Sequence, residues 1–137
     1  KKDGCMSCGT GAECVDDGKG GAACQDVRSK SDLVTYQMDV YWVYITGLDP
    51  AKLLAKYPDR WSMLHIKDML KDFTRGGHTG GSPATAKVAV GEGQIQWAEV
   101  LNAAHKIGVK HYFLEDETVM PLKSIPDSFK YLRALKL

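Results

Sequence analysis

Short apolar segments alternate with helix-type segments from residue 33 to residue 137. The apolar segments, residues 33–46, 61–67 and 109–114, are rich in β-branched and aromatic residues, which predicts β-strands. The first of them is almost continuously apolar, as expected for a strand that is buried on both faces of a parallel sheet. No pattern typical of a β-hairpin separates these segments. The alternation therefore predicts right-handed crossovers and an α/β fold built on a parallel sheet.

The segments that follow the predicted strands have the features of helices. Residues 49–57 begin with Asp-Pro, which is typical of a helix start, and carry apolar side chains on one side. Apolar residues also recur at helical spacing over residues 96–107, and Gly108 is suited to cap the C-terminus of that helix. A last helix is predicted over residues 124–135. Its inner face is expected to consist of Ile125, Phe129, Leu132 and Leu135.

Three potential metal ligands lie within the predicted strands or at their C-terminal ends, one for each strand. These residues are Asp39, His65 and Glu115. In parallel α/β folds ligands bind at the C-terminal ends of the strands, so adjacent strands would bring these side chains together. Two carboxylates and an imidazole are suitable ligands for a divalent metal ion such as Mn²⁺, Mg²⁺, Co²⁺ or Zn²⁺. The pattern therefore predicts a metal site at this end of the sheet.

Each of these residues also has an ordinary structural interpretation. Asp39 can cap a turn, His65 can be a hydrogen-bonded core residue, and Glu115 can be the first solvated residue of a loop. Burial of the preceding Phe113 and Leu114 is expected to draw Glu115 inward, where a carboxylate needs a cation, a polar partner or water. The remaining histidines have weaker claims, because they lie in a glycine-rich loop, on the polar side of a helix and at the start of a strand: His78, His105 and His111.

The overall composition excludes several classes of partner. A chain of 137 residues with 44% hydrophobic content is long enough for one globular domain with a core. The net charge of +1 and the lack of a Lys/Arg run argue against a nucleic-acid partner. No apolar stretch approaches the ~20 residues of a membrane span, so no membrane partner is expected. A cytoplasmic location is favoured, and a periplasmic or secreted one stays open because of the N-terminal cysteines.

The first 24 residues contain all four cysteines and six glycines. This composition shift predicts a Cys/Gly-rich irregular segment over residues 1–30 and a separate domain over residues 31–137. The N-terminal segment is too polar to build its own core and needs a disulfide, a metal or a neighbour. The cysteines are suitable for disulfides, for a structural zinc site or for an iron–sulfur cluster, and their spacing does not decide among these. They are Cys5, Cys8, Cys14 and Cys24.

Four motifs in succession resemble a known family. They are Gln37-Met38-Asp39-Val40-Tyr41-Trp42, Leu64-His65-Ile66-Lys67-Asp68, Gly91-Glu92-Gly93-Gln94-Ile95-Gln96-Trp97 and His111-Tyr112-Phe113-Leu114-Glu115-Asp116-Glu117. In order and spacing they are similar to the C-terminal half of the sugar phosphate isomerase/epimerase family, the xylose isomerase-like TIM barrels. The resemblance extends over about residues 33–137.

The resemblance implies the last three β/α units of a (β/α)₈ barrel and a sugar isomerase or epimerase that depends on a divalent metal. Asp39, His65 and Glu115 would hold the metal together with a glutamate from an earlier strand. Glu115 and that glutamate would move protons next to the substrate carbonyl through an enediolate. Lys67 and Trp42 would bind the sugar substrate. A solvated lysine is the alternative interpretation of Lys67.

The chain also departs from the family pattern. A complete barrel needs about 250 residues, and no upstream strand here supplies the other catalytic glutamate. Gln96 stands where the relatives usually have aspartate at a helix start. A sheet of three strands leaves two unpaired edges, so we expect an oligomer or completion by another chain. The alternative function is a non-catalytic assembly module with a Cys-rich head that a metal or disulfides stabilise.

Overall fold

The computed structural model describes residues 34–76 and 81–137 in full, and before them the backbone of two strands. The chain divides into two compact units, Lys1–Thr35 and Tyr36–Leu137. None of the helices in the described ranges is long and apolar enough to cross a membrane.

The first unit contains an antiparallel pair of strands, β1 (Ala12–Asp16) and β2 (Ala22–Asp26). The sequence did not predict these strands, because the segment has few apolar residues and an irregular composition. In the register of the pair, Cys14 lies opposite Cys24. The cysteine side chains lie outside the described residues, so the choice among disulfides, zinc and an iron–sulfur cluster stays open.

The second unit consists of short strands and helices in alternation, with one two-stranded insertion. The order is β3 (Tyr36–Asp39), α1 (Val40–Ile45), α2 (Pro50–Lys56), β4 (Trp61–Ile66), β5 (Asp68–Met69), a 3₁₀ turn (Ala84–Ala86), β6 (Lys87–Val88), α3 (Trp97–Lys106), β7 (His111–Leu114) and α4 (Pro121–Ala134).

Strands β3, β4 and β7 form the predicted parallel sheet, with β4 in the centre. Asp39 lies opposite His65, and His65 lies opposite Phe113. Residues opposite one another in a sheet point to the same face, so these side chains share one face. The other face carries Met38 and Leu64, which are buried.

The prediction of one strand over residues 33–46 is wrong in its second half. The strand ends at Asp39, and α1 begins with the next residue. The cause is local capping, because Asp39 Oδ1 accepts a hydrogen bond from the backbone N–H of Trp42 at 3.0 Å. Val40, Tyr41 and Ile45 are buried in the core, and that packing outweighs their β propensity.

The packing of α4 also differs from the prediction. The helix begins at Pro121, and the exposed residues include Ile125 and Phe129, which is 57% exposed. The small side chain of Ser128 faces inward instead, where its Oγ accepts a hydrogen bond from the N–H of Val90 at 2.8 Å. The other two residues of the predicted inner face pack partly buried against the core, as expected: Leu132 and Leu135.

The segment between β4 and α3 is organised around the buried carboxylate of Asp68. Strands β5 and β6 pair antiparallel within it. Asp68 accepts hydrogen bonds of 2.7–3.3 Å from one side-chain N–H and four backbone N–H groups. The donors are Trp97 Nε1 and the backbone of Met69, Gly91, Gly93 and Ile95.

Close packing explains why glycine occupies position 93. A Cβ atom on Gly93 would overlap Asp68 Oδ1 and the carbonyl oxygen of Met69. Burial raises the pKa of Asp68, and the N–H donors oppose that shift. The hydrogen bonds of Asp68 therefore connect β5 to the residues that lead into α3.

Candidate metal centre

The carboxyl end of the sheet brings together the three residues that the sequence singled out. Asp39 is the last residue of β3, His65 lies near the end of β4, and Glu115 directly follows β7. His65 Nδ1 is 2.7 Å from Glu115 Oε2 and 3.5 Å from Asp39 Oδ2. Ligand atoms of the three side chains lie within 4.8 Å of one another. We call these residues the triad; in the described part of the chain it is the only such cluster of potential metal ligands.

The environment of Glu115 fits a cation in the triad. Its Oε2 atom is buried and has no hydrogen-bond partner. Its neighbour His65 Nδ1, at 2.7 Å, forms an ion pair with it only when the imidazole is protonated. A buried carboxylate oxygen without a donor is costly unless a cation compensates it. The carboxylate and imidazole donors of the triad are also suitable ligands for Mn²⁺, Co²⁺ or Zn²⁺.

Asp39 serves the local structure and the triad with different oxygen atoms. Oδ1 caps α1 through the backbone N–H of Trp42, while Oδ2 faces His65. The cap therefore fixes the orientation of the carboxylate. The turn-capping interpretation of Asp39 and the ligand interpretation are compatible.

Lys67 follows β4 and places its ammonium group beside the triad. The side chain is only 3% exposed, so the solvated-lysine interpretation is wrong. Its Nζ atom lies 3.0 Å from Glu115 Oε1, 2.9 Å from Glu117 Oε2 and 3.6 Å from Asp39 Oδ2. Burial alone would lower the pKa of Lys67, but hydrogen bonds to Glu117 and Glu115 raise it above its ordinary value. The amine is therefore a stable cation at neutral pH.

Aromatic rings cover the ammonium group of Lys67. Its Nζ atom lies 5.8 Å from the ring centroids of both Tyr41 and Trp42, within the range of a cation–π contact. Trp42, a predicted substrate-binding residue, is partly buried in α1 and lies next to this lysine. The ring of Phe113 meets the His65 imidazole edge-on, with centroids 6.1 Å apart.

Glu117 and Lys87 extend the charged cluster beyond the residues predicted from the sequence. Glu117 Oε2 lies 2.9 Å from Lys67 Nζ and 3.0 Å from Lys87 Nζ. Hydrogen bonds to these lysines lower the pKa of Glu117. In the sequence, the run of carboxylates from Glu115 to Glu117 was the feature that pointed to this residue. Lys87 comes from β6, and no local pattern in the sequence pointed to it.

The other candidates named from the sequence are not part of the triad. His105 and His111 are exposed, on α3 and at the start of β7. His78 lies outside the described residues, as do the side chains of the four cysteines. Phe113 was expected to be buried and is 47% exposed, because it lies on the sheet face that the helices do not cover.

Comparison with known proteins identifies similar solved structures. No protein-family model matches the chain, and no curated protein matches it. Two crystal structures of a sugar phosphate isomerase/epimerase from Parabacteroides distasonis match with 26% identity and a TM-score of 0.53. They cover 76% and 74% of this chain, and 31% and 32% of their own chains. The IolI protein with a bound zinc atom matches with 22% identity and a TM-score of 0.59, over 77% of this chain and 38% of its own.

These matches confirm the expected resemblance to the xylose isomerase-like TIM barrels and the fold class. The chain spans between 31% and 38% of the length of the matched structures. Two of these neighbours are described as sugar isomerase/epimerase proteins, and the third carries zinc. The region of similarity therefore corresponds to a part of such a barrel.

Proposed function

We propose that this chain is the metal-binding part of a sugar or sugar phosphate isomerase/epimerase domain that moves a proton next to a carbonyl group. The observation that carries this proposal is the triad of Asp39, His65 and Glu115 at the carboxyl end of a parallel sheet. The Oε2 atom of Glu115, which is buried and accepts no hydrogen bond, supports a cation there. The similarity to structures described as sugar phosphate isomerase/epimerase supports the reaction class.

The residues of the triad would hold the cation through Asp39 Oδ2, His65 Nδ1 and a Glu115 oxygen. A bound divalent metal supplies polarisation of the substrate carbonyl and hydroxyl oxygens, which makes the neighbouring C–H group more acidic. Glu115 then serves as a carboxylate that accepts or returns this proton. Removal of the proton from one face of the carbon and its return on the opposite face, or to the neighbouring carbon, would need a second carboxylate.

Lys67 and Trp42 are the proposed substrate-binding residues. The protonated amine of Lys67 is suited to donate hydrogen bonds to sugar hydroxyl, carbonyl or phosphate oxygens. The ring of Trp42 lies beside the Lys67 ammonium group, and an aromatic surface is suited to pack against the C–H face of a sugar. Because Lys67 already contacts Glu115, a substrate oxygen bound there would lie beside the proton-transfer carboxylate.

The second proton-transfer carboxylate is expected from a part of the barrel that this chain does not span. The outer edges of β3 and β7 have no neighbouring strand among the described residues. Exposed apolar side chains on β7, Tyr112 and Phe113, lie at one such edge. Activity would therefore require completion of the barrel by another segment, by another chain or by association of copies.

A non-catalytic assembly module remains the second candidate function. The exposed apolar side chains of β7 and α4 favour it, since large apolar patches mark interaction surfaces. In this alternative the N-terminal unit is the working part, and the cysteines bind a metal or form disulfides.

Metal content tests the choice between these functions. The full chain and its Asp39→Asn, His65→Ala and Glu115→Gln variants are loaded with Mn²⁺, Co²⁺ or Zn²⁺ and analysed by mass spectrometry after desalting. The matched control is His105→Ala, which removes an exposed imidazole outside the triad. We expect the triad variants to lose the metal, with affinity reduced at least about tenfold, and the control to keep it.

The opposite results have a direct interpretation. Zinc that persists in all triad variants, and disappears only when the cysteines are replaced, would support the assembly module. A chain that takes up no divalent metal in any form would refute the proposed metal centre. Native mass spectra of the same samples would show whether metal uptake accompanies association.

A further inference from the structure

The ammonium group of Lys67 occupies a position from which it can compete with a metal ion. Asp39 Oδ2 is about equally far from two nitrogen atoms, at 3.5 Å from His65 Nδ1 and 3.6 Å from Lys67 Nζ. Glu115 also contacts both residues: its Oε2 atom contacts His65, and its Oε1 atom accepts a hydrogen bond from Lys67. The two carboxylates that would bind a cation therefore already share one positive charge.

Glu117 binds the same ammonium group but is not part of the triad. Its hydrogen bond with Lys67 is 2.9 Å long, slightly shorter than the 3.0 Å bond that Lys67 makes to Glu115. Lys87, whose side chain is only 10% exposed, contacts the same Oε2 atom and fixes the Glu117 carboxylate in place. Two lysines from different elements therefore hold Glu117 beside the triad.

The charges of this cluster determine how strongly it attracts a divalent cation. Three carboxylates, of Asp39, Glu115 and Glu117, face the two ammonium groups of Lys67 and Lys87, which leaves one negative charge. If Glu117 were neutral, Lys67 would keep only the triad carboxylates as partners. Its ammonium group would then bind them more closely and oppose the entry of a second cation.

We propose that Glu117 is a positioning residue that holds the Lys67 ammonium group beside the triad and so limits its competition with a divalent metal for Asp39 and Glu115. This inference rests on the proposed function, because it assumes that the triad binds a metal. It adds a residue to the metal centre that acts through Lys67 and does not itself ligate the cation.

Mn²⁺ binding to the full chain tests this role without reference to catalysis. Free Mn²⁺ is followed by electron paramagnetic resonance during titration of the wild type, Glu117→Gln, Lys67→Met and the double variant. We expect Glu117→Gln to weaken Mn²⁺ binding about tenfold, as replacement of a group hydrogen-bonded around a metal site commonly does. We expect Lys67→Met to strengthen binding, because it removes the competing charge.

The double variant distinguishes positioning from a general charge effect. If Glu117 acts through Lys67, Glu117→Gln changes Mn²⁺ affinity less than about twofold once Lys67 is methionine. If Glu117→Gln weakened Mn²⁺ binding equally in the wild type and in Lys67→Met, the proposal would be overturned. Glu117 would then act on the metal only through its charge at a distance. Glu117→Asp keeps the carboxylate and is expected to retain most of the affinity, which a purely structural role of the side-chain length would not allow.

Two controls complete the experiment. Asp127→Asn neutralises a carboxylate that is hydrogen-bonded to Lys123 in an exposed pair, and it should leave Mn²⁺ affinity unchanged. Lys67→Gln replaces Lys67→Met if circular dichroism shows that the methionine variant does not fold.

A wild type that binds no Mn²⁺ overturns the metal centre and this inference together. A wild type that binds Mn²⁺ as tightly as Glu117→Gln overturns this inference alone.

Discussion

Asp68 shows how a single buried carboxylate can organise a long segment. It lies directly after Lys67 in the chain, yet it faces away from the charged cluster and into a cage of N–H donors. The hydrogen bonds from Met69, Ile95 and Trp97 are buried, so these donors would lose their acceptor away from water if the carboxylate were removed. Asp68 therefore stabilises the contact between β5 and the residues that lead into α3.

We expect Asp68→Ala to lower the free energy of unfolding by about 3 kcal/mol or more, because several buried N–H groups lose their acceptor at once. Urea denaturation followed by circular dichroism measures the change. Asp72→Ala is the matched control, since Asp72 is an exposed aspartate in the same segment. A loss no larger than that of the control would show that the N–H groups find other partners.

The residues of the metal centre differ in how visible they are in the sequence. Asp39 stands out as a charged residue within an apolar segment, and His65 and Glu115 stand out near or just after the end of one, which is a local property. The rest of the charged cluster was not predicted, because Glu117 reaches Lys67 from the loop after β7 and Lys87 reaches Glu117 from β6. Contacts between elements distant in sequence leave no periodic pattern.

At the scale of elements, helix caps decide where strands end. The apolar run from Val40 to Ile45 has the composition of a strand, but the preceding Asp39 caps it as helix α1. The capped start of α2 was predicted from the sequence, because Asp49 is followed by proline. The difference is that proline excludes a strand interior, whereas valine, tyrosine and tryptophan favour one.

The cap of α2 leads to a prediction about pH. Asp49 Oδ1 accepts a hydrogen bond from the N–H of Lys52 at 3.1 Å. Burial opposes ionisation of the carboxyl group. Hydrogen bonds from Lys52 and Ala51 and the charge of Lys52 nevertheless lower the pKa of Asp49 below its ordinary value of 3.8. Because the folded-state pKa is lowered, the ionised cap stabilises the fold above pH 3.8, and this contribution is lost as the pH falls through the folded-state value.

We expect Asp49→Ala to cost about 1 kcal/mol of stability at pH 7, since a helix N-cap is lost. The difference between wild type and variant should shrink as the pH is lowered below 3.8, where the carboxyl group becomes protonated. Thermal unfolding of both proteins across this pH range measures it. Asp49→Asn, which caps without charge, should show a smaller effect at pH 7, and a difference that stays constant with pH would contradict the argument.

The second unit has an exposed apolar surface on α4. Leu122, Ile125 and Phe129 are spaced for one face of α4 and are all exposed. Among the described residues, the outer edges of β3 and β7 also have no neighbouring strand. Both features are expected of a chain that spans about a third of the matched structures.

We expect the full chain to associate at micromolar concentration, with Phe129→Asp weakening the association at least about tenfold because it places a charge on the apolar face of α4. Analytical ultracentrifugation over a range of concentrations measures the dissociation constant. Leu48→Asp is the matched control, since Leu48 is an exposed apolar residue in the loop before α2. A chain that remains monomeric throughout would contradict this expectation.

The alternation of strands with helices, the parallel sheet and the three residues of the triad followed from the sequence by itself. They depend on residue types and on periodicity within short segments, which each segment carries independently of its neighbours. The inward face of α4, the cage around Asp68 and the hydrogen bond between Glu117 and Lys67 were decided only by the tertiary structure. Each of these depends on which surface of one element meets another, and that choice is made by packing and hydrogen bonding across the fold.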